Sequence, residues 1–163
     1  MNLAYQKHLT YAISKKSESK KFFEKLKKNN PTNLDKDCNR LHDEAFEVID
    51  CLQCGNCCKT TGPLLLDKDI ARLAKYLKIK PATFTENYLR IDEDKDYVFK
   101  KMPCIFLEKN NCCSVYENRP NACREYPHTQ QSKIIQKLKI TFENTLICPA
   151  VAKVVEGLKL IYN

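Results

Sequence analysis

Residues 51–58 read Cys-Leu-Gln-Cys-Gly-Asn-Cys-Cys. Two residues separate the first cysteine from the second and the second from the third, and the fourth follows the third directly. This spacing lets the backbone turn and direct successive sulfur atoms at one centre, as in the three-cysteine run of bacterial ferredoxins. Gly55 eases the turn because it carries no Cβ. The run therefore predicts a metal ion or cluster with thiolate ligands from Cys51, Cys54, Cys57 and Cys58.

The adjacent cysteines at the end of this run are difficult to place around a single metal ion. Side chains of neighbouring residues in an extended segment point to opposite sides, so Cys57 and Cys58 do not fit one tetrahedron without a special turn. The pair indicates either a second metal site or a thiol that contacts the ligands rather than the metal.

The length and composition favour a small protein whose fold is stabilised in part by a bound metal. A chain of 163 residues fits one domain. Hydrophobic residues make up 43% and charged residues 29%, so we expect an adequate but not a large apolar core. The ten cysteines are many, whereas the three glycines are too few for a glycine-rich loop that binds nucleotide phosphates.

The hydropathy of the chain indicates its compartment, and the compartment decides whether its thiols are reduced or form disulfides. Residues 1–28 contain no apolar run of the signal-peptide kind, and no segment approaches about 18 apolar residues, the length of a membrane span. We therefore expect a cytoplasmic protein without a membrane span. In a reducing cytosol, closely spaced cysteines are more often metal ligands than disulfides.

Positive charge is concentrated near the N-terminus. Residues 1–30 hold eight lysines and two glutamates, which account for most of the net charge of +8. Such a run can contact an anionic surface, but a solvated helix face has the same composition. Aromatic residues are few there, so nucleic-acid binding is not predicted. We interpret residues 1–30 as a basic N-terminal helix and residues 31–163 as a cysteine-cluster metal-binding domain.

Hydrophobic periodicity predicts a mainly helical chain. Apolar residues recur at intervals of three and four residues, which is the spacing of one helix face. Cys38 lies on such a face and is interpreted as a core residue rather than a ligand. Pro81 and Pro149 suit the first turns of two helices. The predicted faces are Tyr5, Leu9, Ala12 and Ile13; Leu34, Cys38, Leu41, Ala45 and Val48; Ile70, Leu73, Ala74 and Leu77; and Val151, Val154, Val155, Leu158 and Ile161.

One region indicates extended structure. Short apolar runs at residues 97–99, 104–107 and 113–116 flank the polar residues 108–111, which predicts a small hairpin. The predicted fold class is mainly α with a minor β-hairpin, in a small single domain organised around a cysteine-ligated metal site.

Further motifs carry a family resemblance. The chain contains Cys104-Ile-Phe-Leu, Cys113-Ser-Val-Tyr, Arg-Pro-Asn-Ala-Cys123-Arg and Cys148-Pro. Together with residues 51–58 they look like the YkgJ-type cysteine-cluster family (CxxCxxCC), whose members are described as zinc- or iron-chelating. The cysteine-rich region of flagellin lysine N-methylase is similar to this family, although that similarity does not make this chain a methylase.

The resemblance implies a ligand set and leaves Cys38 and Cys112 outside it. Eight thiolates could form two four-sulfur sites, or one iron–sulfur cluster with four cysteines left for structural or redox use. Arg119 and Arg124 are candidate cofactor-binding residues, because their charge offsets that of a thiolate cluster. The implied metal ligands are Cys51, Cys54, Cys57, Cys58, Cys104, Cys113, Cys123 and Cys148.

Three functions fit these residues. The preferred hypothesis is an iron–sulfur protein, with a 4Fe–4S cluster, in electron transfer or in a cluster-dependent enzyme such as an oxidoreductase. The alternatives are a structural zinc module that serves a protein partner, with one or two four-thiolate sites, and a metal carrier. No catalytic residue, substrate, redox partner or oligomeric state is predicted, because no catalytic triad or nucleotide motif is recognisable.

Overall fold

The computed structural model describes residues 3–163, so Met1 and Asn2 of the predicted N-terminal helix lie outside the described residues. The described chain divides into two compact units. The first contains the residues up to Cys54 together with Pro127–Asn163, and the second contains Gly55–Tyr126. No helix within residues 3–163 is long and apolar enough to cross a membrane.

Helices dominate the described chain and three short strands accompany them, as the sequence predicts. Two 3₁₀ turns lie at Tyr116–Asn118 and Ile134–Lys137. The other elements, in chain order, are α1 (Leu3–Ser14), α2 (Lys16–Asn29), α3 (Leu34–Phe46), α4 (Cys51–Cys54), α5 (Asn56–Thr60), β1 (Leu64–Leu65), α6 (Asp67–Tyr76), α7 (Pro81–Tyr88), β2 (Leu89–Ile91), β3 (Tyr97–Phe99), α8 (Asn121–Glu125), α9 (Leu138–Thr145) and α10 (Pro149–Tyr162).

The core of the first unit forms where α10 packs against α3, α1 and α9. Pro149 occupies the first turn of α10, where a missing N–H removes no intrahelical hydrogen bond. The predicted core position of Cys38 is confirmed, because its side chain is 0% exposed. Burial also raises the pKa of the Cys38 thiol to about 12, which keeps it protonated. The large apolar side chains that α10 buries are Val151, Val154, Val155 and Leu158.

Three residues at the ends of the predicted helix faces lie outside the core. Val48 is 62% exposed, because α3 ends at Phe46 and the chain then buries Ile49 instead. Ile13 and Ile161 are also exposed, each near the C-terminal end of its helix. The period of 3.6 residues places a side chain on a face only while the helix continues and a neighbour covers it.

The basic N-terminal segment forms two helices rather than the single helix that we predicted. Lys15 separates α1 from α2, with φ −98° and ψ 14°, outside the helical values. Helix α2 buries Phe22, Phe23 and Leu26 and packs against α9. Its remaining face is charged, with exposed side chains at Lys16, Lys20, Lys21, Lys25, Lys27 and Lys28.

The second unit contains an antiparallel sheet with the order β1-β3-β2. Leu64 pairs with Val98 on one side of β3, and Leu89 pairs with Phe99 on the other. The hairpin therefore joins β2 to β3, whereas the region predicted as a hairpin retains a single bridge, between Leu107 and Cys113.

The core of the second unit joins this sheet to α6 and α7. Phe84 and Leu73 are both 0% exposed, and the ring of Phe99 meets that of Phe106 edge to face. Two cysteines, Cys104 and Cys113, are partly buried against this cluster. Its buried members are Leu65, Ile70, Leu73, Ala74, Phe84, Leu89, Phe99, Phe106 and Val115.

Candidate metal centre

The second half of the cysteine run lies on a short helix in the second unit. Cys57 and Cys58 belong to α5, which follows Gly55. Gly55 has φ 57°, in the left-handed region that only glycine adopts at little cost. An added Cβ there would also lie 3.0 Å from the Asn111 side chain. The prediction that Gly55 eases this turn is therefore confirmed.

Cys104 and Cys113 lie on a turn that is joined to α5 by a hydrogen bond. The N–H of Cys104 donates to the carbonyl oxygen of Cys58 at 2.8 Å. The N–H of Leu107 then donates to the carbonyl oxygen of Cys104 at 3.0 Å, and the bridge from Leu107 brings Cys113 back beside the same turn. Backbone pairing thus holds Cys58, Cys104 and Cys113 in one neighbourhood.

The fourth cysteine of this neighbourhood comes from α8. Pro120 precedes α8, and its carbonyl oxygen accepts the N–H of Cys123 at 3.0 Å. Cys123 lies one turn into the helix and is partly buried.

The electrostatics of the thiols show that these four cysteines interact. Burial raises the pKa of the Cys123 thiol to about 12. Three further thiols add to that rise, because negative charge on any of them disfavours charge on Cys123. These thiols belong to Cys58, Cys104 and Cys113.

Cys58 is the thiol of this group that ionises most easily. The Sγ atoms of Cys57 and Cys58 are 4.0 Å apart, and a hydrogen bond from Cys57 lowers the pKa of Cys58 to about 7. Burial, by contrast, raises the pKa values of Cys104 and Cys113. Near neutral pH the group therefore consists of one readily ionised thiol among three protonated ones.

The donor set suits a soft metal. Four thiolates from α5, the 104–113 turn and α8 are the ligands that zinc and iron–sulfur clusters take. As the side chains stand, no group of three or more His, Cys, Asp or Glu residues within 3–163 is assembled closely enough to hold a metal ion. Metal binding also requires the thiols to lose protons.

Comparison with known proteins agrees with this chemistry. A family model named CxxCxxCC, described as a "Putative zinc- or iron-chelating domain", matches residues 50–148. The chain belongs to this family. An uncharacterized protein of Methanocaldococcus jannaschii is 36% identical over 99 residues, which cover 57% of this chain and 51% of the relative. The chain thus matches about half the length of that relative. No solved structure matches the chain.

Three further predicted ligands of the CxxCxxCC domain lie in the first unit, whereas Cys57 lies in the second. Cys51 is exposed in α4, Cys54 is buried at the end of that helix, and Cys148 is buried at the start of α10. Their roles as ligands stay predictions. In the second unit, Cys112 follows Asn110, whose side-chain oxygen accepts its N–H at 2.9 Å.

The two predicted arginines lie beside the cysteines of the second unit. The positive charge of Arg119 acts to lower the pKa values of Cys113 and Cys123. The Arg119 guanidinium also stacks on the Tyr116 ring at 3.8 Å. Arg124 instead donates to the carbonyl oxygens of Arg119 and Glu117. Arg119 is therefore placed to offset thiolate charge, and Arg124 to hold the backbone.

Sequence reasoning missed Asp69 and Arg72. The Asp69 carboxylate caps α6 by accepting the N–H of Leu66 at 3.1 Å. The same carboxylate also accepts the N–H of Asn121, which is 52 residues away. The signal available was an Asp and an Arg three residues apart, which normally indicates a local ion pair.

Proposed function

We propose that the chain is an iron–sulfur protein whose cluster is held by Cys58, Cys104, Cys113 and Cys123. The observation that supports this proposal is the backbone pairing that brings the partly buried Cys58, Cys104 and Cys113 into one neighbourhood, whose thiols also raise the pKa of Cys123. Four thiolates are the usual ligand set of a 4Fe–4S cluster.

Such a cluster would supply one-electron transfer at a partly buried site. Four thiolates around an oxidised cluster leave a net charge of about −2, which needs compensation. Arg119 offers that compensation, because its charge already favours ionisation of Cys113 and Cys123. We infer that the partner of this centre is a redox protein or a substrate that accepts single electrons.

The four proposed ligands suit zinc and an iron–sulfur cluster equally. The preference for iron rests on the neighbouring cysteines Cys51, Cys54 and Cys57, whose two successive spacings resemble those of ferredoxins, whereas a zinc module needs only separate Cys-x-x-Cys pairs. The proposed roles of these three cysteines and of Cys148 are metal ligation or structural or redox use. Zinc is the competing outcome of the test.

Anaerobic purification of the full chain, followed by visible absorption and analysis of iron, sulfide and zinc, tests the proposal. We expect a brown protein with about four iron and four sulfide per cluster. In Cys123→Ser we expect the colour to be lost, whereas Cys112→Ser should keep it. A colourless wild-type protein that retains zinc would refute the iron–sulfur assignment. Absence of any bound metal would refute the proposed function altogether.

A further inference from the structure

Asp69 and Arg72 form an ion pair on the first turns of α6. Arg72 Nη2 lies 2.5 Å from Asp69 Oδ1. The Asp69 side chain is 2% exposed and that of Arg72 is 31% exposed, so the carboxylate is the buried partner. A buried carboxylate is stable only when every lone pair finds a donor.

Arg72 uses its remaining donors on a distant backbone segment. Its Nε donates to the carbonyl oxygen of Asn118 at 3.2 Å, and its Nη2 donates to the carbonyl oxygen of Arg119 at 2.8 Å. A planar guanidinium can serve two neighbouring carbonyls at once, which the single ammonium of lysine cannot do in the same geometry.

Asp69 contacts the next part of the same segment. Its Oδ1 accepts the N–H of Asn121 at 3.0 Å, at the start of α8. The residue that would normally cap this helix is Pro120, which has no side-chain acceptor. Asp69 therefore caps α8 from another helix.

These contacts fix the four residues that lead directly to Cys123. Between Asn118 and Asn121, two carbonyls and one N–H are held by the Asp69–Arg72 pair. The first turn of α8 then follows, in which the N–H of Cys123 donates to the carbonyl oxygen of Pro120. A shift of this segment would move the Cys123 sulfur with it.

We propose that Asp69 and Arg72 are positioning residues that set the place of Cys123 as a metal ligand, an inference that rests on the proposed function. Partners that orient metal ligands typically change metal affinity about 10- to 100-fold when they are removed.

The test is a double-mutant cycle on metal affinity. Metal-free full-length protein is titrated with Zn²⁺ against a chromophoric chelator, in the wild type, Arg72→Lys, Cys123→Ser and the double variant. Arg72→Lys keeps the positive charge beside Asp69 but loses the planar group that donates to two carbonyl oxygens at once. Arg90→Lys is the matched control, because Arg90 is exposed on β2 in the same unit.

We expect Arg72→Lys to lower Zn²⁺ affinity about tenfold or more, with Arg90→Lys unchanged. In the Cys123→Ser background, Arg72→Lys should change the affinity by less than about twofold, because its effect acts through Cys123. Circular dichroism and thermal unfolding of the metal-free proteins establish that each variant folds. If Arg72→Lys does not fold, the same cycle is run with Asp69→Asn.

Two results would overturn the inference alone. One is wild-type affinity in Arg72→Lys, and the other is an equal loss with and without Cys123, which would indicate general destabilisation. If Cys123→Ser itself retains full affinity, Cys123 is not a ligand, and both the proposed ligand set and the positioning role are refuted. The affinity of Cys123→Ser tests the proposed ligand set, whereas the effect of Arg72→Lys with and without Cys123 tests the positioning role.

Discussion

Gly157 on α10 lies directly against Leu41 on α3. A Cβ added at Gly157 would come within 2.4 Å of Leu41 Cδ2 and 3.0 Å of Cδ1. Glycine in a helix normally costs about 1 kcal/mol relative to alanine, but overpacking costs about 1–3 kcal/mol. The clash involves only the end of the half-buried Leu41 side chain, which can move aside in part. We therefore expect the clash to cancel the gain in helix propensity, so that Gly157→Ala leaves the free energy of unfolding unchanged or lowers it by up to about 1 kcal/mol, measured by urea denaturation.

Truncating Leu41 provides the control for this contact. In a Leu41→Ala background the clash is absent, so Gly157→Ala should raise stability by up to about 1 kcal/mol through helix propensity. The same effect in both backgrounds would show that the packing of α10 on α3 is not the cause.

Cys38 is expected to affect stability without affecting metal content. Its side chain is 0% exposed, so Cys38→Ala leaves a small cavity and should cost about 1 kcal/mol. Cys38→Ser should cost about 1–3 kcal/mol, because a hydroxyl is harder to bury than a thiol. Denaturation curves and metal analysis of both variants test this. A loss of bound metal in Cys38→Ala would show that Cys38 is a ligand.

His42 should make stability depend on pH. Burial lowers the pKa of His42 below its ordinary value of 6.5, and Nδ1 lies 2.6 Å from the Thr129 hydroxyl. The unfolded chain then binds more protons than the folded chain between the lowered pKa and 6.5. The free energy of unfolding should therefore rise with pH through that window and become independent of His42 above it.

The measurement compares wild type with His42→Gln at about pH 5 and about pH 8. Other groups titrate in both proteins, so the difference between the two isolates His42. The wild type should lose more stability on acidification than the variant. Equal losses would mean that His42 is accessible to protons in the fold.

Gly55 should be intolerant of a side chain, whereas Gly62 should accept one. Gly55→Ala places an L-residue at φ 57°, where strain costs about 1–2 kcal/mol, and presses Cβ against Asn111. At Gly62 an added Cβ meets only Met102 Sδ at 3.6 Å, an ordinary contact. Thermal unfolding should show a lower midpoint for Gly55→Ala and a wild-type midpoint for Gly62→Ala. Equal effects would contradict the assigned backbone of the turn.

The helical parts of the fold were predictable because their signals are local. The spacing of Leu73 and Ala74, or of Val151 and Leu158, reports a buried face without reference to the rest of the chain. The partner of a strand is not local. The pairing of Leu64 with Val98 joins two-residue and three-residue strands, which are too short to show an alternating pattern.

The candidate site was predictable to the level of residue type. The spacing of Cys57 and Cys58 and the resemblance of the later motifs selected thiols, but no sequence pattern states which thiols meet. The bond from Cys104 to the carbonyl of Cys58 depends on how the intervening sheet and helices pack. The contact of Asp69 with Asn121 could not be predicted from the sequence for the same reason.

The metal-to-protein ratio in five single variants tests the central claim most directly. Each variant replaces one cysteine by serine in the full chain, purified anaerobically and analysed for iron and zinc beside the wild type. Four replace the proposed ligands and the fifth, Cys112→Ser, replaces the neighbour of one of them. We expect each of the four to lose metal and Cys112→Ser to keep the wild-type ratio. Full metal in any of the four, or a loss in Cys112→Ser equal to that in Cys113→Ser, would contradict the account. The four ligand positions are Cys58, Cys104, Cys113 and Cys123.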